Sequence, residues 1–266
     1  MGNRTVWIVL AVVAAAVLLC CCVLVVGIAV YGLAATSSGV REVTVGRVQE
    51  RTEQRFAVDD APVVEVVTFA GDVTLRAGSG GEVDVVVTKK AGGSTQLDRI
   101  SVTVSETQDG VRIEATAPRS AGGYRSVDVD VTVPSDAQLA LETGAGNIGV
   151  VDVAGSITAH TGAGNVEVEG GVGPVSLDTG AGEVDYAGDP QGDCTFSTGA
   201  GNVTLRLPAA LDAEVELHAG IGNIELGGFD VTGEVSDTEV DGVIGSGEDA
   251  TIEARTGAGN VELIQE

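Results

Sequence analysis

Glu167 and Asp185 occupy the same place in two successive copies of a repeated segment, and they are the chain's most suggestive chemical groups. Alternate residues of a strand face opposite ways, so Val166 and Val168 point inward while Glu167 and Glu169 point outward. Strands stacked about 4.8 Å apart make Glu167 and Asp185 near neighbours, with Glu169, Asp178 and Glu183 flanking them. Carboxylates so placed repel unless solvent, salt or a cation relieves them. These five residues form the candidate face for a cation or a cationic partner.

Stricter chemistries demand more than outward carboxylates. Calcium takes several oxygen ligands, and a nine-residue spacing is similar to that of calcium-binding β-roll repeats. Here the place of the ligating Asp holds Val or Ile, so the ligand-bearing turn is missing and a solvated acidic face is expected. Paired carboxylates also cleave glycosides, but no cluster stands apart from the repeat as an active site would. His160 and His218 fall at equivalent places three coils apart, roughly 15 Å, which is too far to share a metal ion. No Ser-His-Asp set, zinc spacing or nucleophile motif is visible. The chain is therefore expected to have no catalytic residue, no metal, no cofactor and no enzymatic activity.

The positioning element is a repeat. Thr-Gly-Ala-Gly opens at Thr143, Thr161, Thr179, Thr198 and Thr256, and returns altered as Ala219-Gly220-Ile221-Gly222. The steps are 18, 18, 19 and 21 residues, and the last, from Ala219 to Thr256, is 37. A fixed period of this kind marks a repeat architecture. Each period divides again into pieces of about nine residues, a Gly-rich corner and a short strand, as in Gly170–Asp178 and Gly247–Arg255. The sequence thus predicts an all-β fold, a β-solenoid of about 18-residue coils. Its inward row includes Ile148, Val150, Val184, Tyr186, Val203, Leu205, Ile224, Leu226, Val261 and Leu263. The corner glycines do not form a phosphate loop, because no helix follows them. Asn147, Asn165, Asn202, Asn223 and Asn260 occupy the fifth place, where stacked amides can form a ladder.

Before the array, alternating runs such as Val83-Val85-Val87 and Val127-Val129-Val131-Val133 predict longer antiparallel strands that cap or flank the coils. The expected organisation is a tail at 1–5, a transmembrane helix at 6–35 and a stalk at 36–55. A β region with hairpins at 56–142 and the Gly-rich array at 143–266 complete it. The apolar run from Val6 to Ala35 carries no charge and exceeds the roughly 20 residues that span a bilayer. It is also far longer than the apolar part of a cleaved signal peptide. The expected location is the cell membrane, single-pass, with the β domain extracytoplasmic. Cys20, Cys21 and Cys22 fall inside that run, which leaves Cys194 without an intrachain partner and predicts a buried, inert thiol.

Net charge narrows the partners. The chain carries 39 acidic and 14 basic residues, and with Arg4 set aside the remainder stands at 13 − 39 = −26. Such a surface repels nucleic acid and attracts cations and cationic peptides.

Thr-Gly-Ala-Gly-Asn-(Val/Ile)-x-(Val/Leu) repeats preceded by Thr68-Phe69-Ala70-Gly71-Asp72-Val73-Thr74-Leu75 resemble a bacterial family. It is the "putative adhesin" family of β-strand-repeat envelope proteins, and the resemblance covers about residues 56–266. It implies a structural, adhesin-like or binding module without catalysis. As an alternative it implies an envelope-stress component that senses cationic antimicrobial peptides. The family offers no catalytic residue to carry over.

Overall fold

The structure is a computed structural model and describes residues 38–44, 47–118 and 122–266. In chain order the strands begin with β1 (Ser38–Thr44), β2 (Arg47–Ala57), β3 (Val63–Thr68), β4 (Val73–Gly78) and β5 (Glu82–Ala91). A four-residue helix, α1 (Ser94–Leu97), leads to β6 (Ser101–Glu106), β7 (Gly110–Thr116), β8 (Arg125–Pro134), β9 (Gln138–Thr143) and β10 (Ile148–Val151). Then come β11 (Ile157–Thr161), β12 (Val166–Thr179), β13 (Val184–Ala200), β14 (Val203–Leu207) and β15 (Ala213–Ala219). The last are β16 (Ile224–Gly227), β17 (Thr232–Val235), β18 (Glu239–Ile244), β19 (Ala250–Ala258) and β20 (Val261–Gln265).

These strands build two ladders around one aliphatic core. The first runs β1, β2, β5, β8 antiparallel, then β4, β10, the start of β12, the start of β13, β14, β20 and β16 in parallel. The second runs β6, β7, β3, β9, β11, the end of β12, the end of β13, β19 and β15, and closes with β18 and β17 antiparallel. β12 and β13 pass from one ladder to the other, because nine residues make half a circuit. The inward positions read from the alternation are buried, among them Val166, Val168, Leu177, Val184, Leu205 and Leu263. Ile224 and Leu226 are only half-buried, since they line the terminal rung.

The repeat residues are explained by bonds between rungs. Thr161, Thr179 and Thr198 are buried, and each hydroxyl donates to a glycine carbonyl one rung back, Gly146, Gly164 and Gly182, at 2.8–2.9 Å. A buried hydroxyl needs such a partner. Gly164 holds φ +146, and a Cβ there would lie 2.1 Å from the Gly146 carbonyl oxygen. Both the left-handed angle and the contact admit glycine alone. At the fifth place the ladder joins side chain to backbone rather than amide to amide. The N–H groups of Asn147 and Asn165 donate to the side-chain oxygens of Asp72 and Asn147, each at 2.9 Å.

Several expectations are corrected. The described chain is not a plain solenoid of 18-residue coils behind a membrane helix; it is one 20-stranded, nearly closed, barrel-like sheet. Spatial order departs from chain order: Val203 pairs with Val261, and Val261 with Ile224. The last rung, β19–β20, is therefore inserted between two earlier ones. The 37-residue step arises because β18 folds back antiparallel on β15 instead of starting another coil. Among the described residues no helix is long and apolar enough to cross a membrane. The transmembrane segment expected at 6–35 lies outside the described residues, and the single-pass membrane location with an extracytoplasmic β domain has no support here. Residues of the expected stalk form β1 and most of β2, whose antiparallel pairing continues into β5. β9 runs across the expected boundary at 142/143 without a break.

Candidate binding face

The outward side of the first ladder carries the candidate residues because every inward neighbour is committed to the core. In register across adjacent strands stand Thr74, Gly149, Glu167, Asp185, Thr204, Glu262 and Glu225. Glu167 and Asp185 are direct cross-strand neighbours, as the period implies. Glu169 lies two residues along the same face, opposite Ala187. Arg206 reaches Asp185 at 3.7 Å, whereas Glu167 and Glu169 have no ion-pair partner among the described residues. The row order also differs from the chain order at its end, since Glu262 precedes Glu225 in space.

Gly149 gives this face its relief. A side chain there would meet nothing within 4 Å, and its absence leaves a groove of about 440 Å³. Asp72, Thr74 and Asn147 line the groove with Glu167 and Glu169. The one signal for it in the sequence is a glycine at a place that elsewhere holds Glu, Asp or Thr.

Asp178 and Glu183 are not brought to this face as a cluster. Asp178 is half a circuit away, on the outward side of the second ladder. Glu183 sits in the corner before β13, and its N–H donates to the Asn165 side-chain oxygen at 3.0 Å. The corrected face is therefore Glu167, Glu169 and Asp185, continued by Glu262 and Glu225.

On the second ladder the structure assembles a set that the linear sequence did not reveal. His160, Asp178 and Ser197 are consecutive in one outward row, followed by Arg255 and His218. His160 Nδ1 lies 2.6 Å from Asp178 Oδ2, and the Ser197 hydroxyl donates to Asp178 Oδ1. The carboxylate is in the middle. The imidazole thus has no hydrogen bond to the hydroxyl and cannot take its proton, which is the step that activates a serine. His160 and His218 stand four rungs apart, not three, because β19 lies between β13 and β15.

Three other groups show how the fold treats polar atoms. Cys194 is buried beside Phe196, and burial pushes its thiol up from the ordinary range. Tyr186 is fully buried, its ring centroid 5.2 Å from that of Phe196, and its hydroxyl donates to the Gly171 carbonyl at 2.9 Å. Burial raises its pKa as well. In the loop before β15, Asp212 accepts from the Ser246 hydroxyl at 2.7 Å and from the N–H groups of Ser246 and Glu248 at 3.1 and 2.9 Å. Those donors, led by the Ser246 hydroxyl, hold its carboxyl down to about 2.

No protein-family model matches the chain, and no curated protein matches it. Among solved structures it is similar to a "putative cell adhesion protein" from Clostridium sporogenes, at 12% identity and a TM-score of 0.48, over 81% of this chain and 100% of that one. It is also similar to a "putative adhesin" from Bacteroides fragilis, at 14% identity and a TM-score of 0.44, over 80% and 97% of the two chains. A "putative adhesin" from Parabacteroides distasonis follows, at 12% identity and a TM-score of 0.22, over 80% and 97%. All three are bacterial, one described as a cell adhesion protein and two as adhesins. Likeness this distant says nothing about activity.

Proposed function

We propose that the β domain is a non-catalytic, adhesin-like binding module that attracts cationic partners to the outward face of its first ladder. The observation that supports this reading is the in-register pair Glu167–Asp185 beside the groove at Gly149, with Glu167 and Glu169 lacking a basic partner among the described residues. A sheet bonded rung to rung holds these carboxylates at fixed spacing, so little ordering is needed when a basic segment arrives. The surplus of acid draws such a segment from a distance set by ionic strength.

Titration of an oligolysine peptide into the full chain, at low and at high salt, tests the reading. Binding is expected at low salt, and it should fall as salt rises. Reversal of both charges, Glu167→Lys with Asp185→Lys, should weaken it and leave the β circular-dichroism signal unchanged, since both side chains point outward. No binding at low salt, or equal binding by the double variant, overturns the proposal.

A further inference from the structure

The two ladders do not end together. Beyond the rung formed by β7 and β8, the first ladder continues through β5, β2 and β1, while the second has only β6. β6 shares a slot with β5, and β2 overhangs it. α1 packs beside β2 and β5 at the Val48 end, and farther along nothing of the second ladder stands opposite β2. There Thr52 and Gln54 are half-buried around a slot of about 210 Å³, whose other wall is Val102 and Val104 of β6. Among the described residues, a place for one strand is open in the second ladder.

β6 is equipped to hold a strand in that place. Thr107 N–H donates to the Gly110 carbonyl at 2.8 Å, which sets the alternation of the β6–β7 hairpin. Ser105 and Thr103 then exchange bonds with Arg112 and Glu114, and the backbone groups of Val102, Val104 and Glu106 point to the free edge. Among the described residues that edge has no partner. It also lacks the lysine, proline or bulge with which exposed edges are ordinarily protected. The opposite end of the molecule differs: Ile224 N–H is taken by the Asp237 carbonyl, and the Leu226 carbonyl by Gly228 N–H, each at 2.8 Å.

Charge identifies the occupant. Beyond the slot, at the Glu106 end of β6, lies a second cavity of about 540 Å³ between the loop after β2 and the β6–β7 turn. Asp59, Asp60, Glu106 and Asp109 line it, and no basic residue does. The slot has Val85, Val87, Val102 and Val104 on one side and Thr52, Gln54 and the Lys89–Glu50 ion pair on the other, and a segment laid along β6 would run from it into this acidic end. We propose that the β6 edge is a strand-docking site for an extended peptide segment of a partner protein. That segment alternates short apolar side chains over Val102 and Val104 and carries lysine or arginine at the end that reaches Glu106. Main-chain bonds give such docking its affinity, and the pockets give it its sequence preference. A second copy does not fit the place. Antiparallel pairing of β6 with its own symmetry mate would put the overhanging β2 of each copy on the rung that the other copy's β5 already holds. This site is separate from the carboxylate face proposed above.

The probe is a short synthetic peptide of alternating valine and threonine with two lysines at one end, titrated into the full chain. Hydrogen exchange at the Val102 and Val104 amides should be fast in the free protein and slow when the peptide is bound. Val104→Pro removes one outward donor without touching a bond to β7, a change an edge strand tolerates. It should weaken binding by about tenfold or more, whereas Val104→Ala should not. N-methylation of alternate peptide residues should abolish binding to the unaltered protein, a result that stands even if the proline variant fails to fold. Glu167→Lys with Asp185→Lys should leave this peptide's protection of β6 intact, which separates failure of one proposal from failure of the other. Val102 and Val104 amides already protected in the free chain would overturn the inference, showing the edge covered by its own chain or by a second copy. Peptide binding without protection of those amides, or no binding, would also overturn it.

Discussion

The side-chain oxygen of Asn165 accepts the backbone N–H of Glu183 at 3.0 Å, one rung away, while the N–H of Asn165 itself donates to Asn147 at 2.9 Å. The same relay joins Asp72, Asn147, Asn165 and Glu183 in one run and Asn202, Asn260 and Asn223 in another. Asp72 performs the same task for Asn147, so a carboxylate oxygen serves as well as an amide oxygen.

Replacing Asn165 with alanine removes one acceptor from an exposed corner. The expected cost is about 0.5–1 kcal/mol, because water can satisfy the released N–H in part. Asn165→Asp should retain most of the stability, following Asp72. Chemical denaturation of the three proteins checks the order.

Gly164→Ala should be far more damaging. Its Cβ would fall 2.1 Å from the Gly146 carbonyl oxygen, at a residue with φ +146. Neither the rung nor the angle can relax without opening the ladder on both sides. A loss of about 4 kcal/mol or more is expected, in the range reserved for backbone and packing failures. A variant that melts within a few degrees of the wild type would show that the rungs are less tightly stacked than described.

Asp212 supplies a pH dependence. Its folded pKa, about 2, lies below the ordinary aspartate value of about 3.9. The group therefore contributes stability that is fully present above about pH 4 and is lost as pH falls towards 2. Asp212→Asn should lower the melting temperature at neutral pH, and the gap to the wild type should narrow as pH drops through that window. A gap that is constant with pH would mean that the Ser246 and Glu248 contacts do not depend on the charge.

Much of this architecture is legible in the residues. The 18-residue step brings Glu167 beside Asp185, and period-two alternation sends Val166, Val168, Val203 and Leu205 inward. Asp178 was misplaced because nine residues carry the chain half a circuit, to the other ladder, where it meets His160 and Ser197. The threonine that opens each repeat shows its purpose only in space, where its hydroxyl finds a glycine carbonyl one rung back. The position of β19 and β20 could not be read at all. Equivalent corners stack interchangeably, and the choice between them lies with β18, whose alternating Val240 and Ile244 look like any other strand.

That placement has a consequence for biogenesis. The rungs holding Val203 and Ile224 become neighbours of a common strand only when β20, which lies between them, has been made. An emerging chain can zip its early coils in order, but residues 192–207 and 213–227 must wait with unpaired edges until 250–265 leave the ribosome. The order of synthesis and the order of assembly therefore part company at the end of the chain. Non-local closure of this kind is slow, and it exposes strands to wrong partners while it waits. Residues 250–265 are the keystone of the array, since the two waiting rungs gain their shared neighbour only from them.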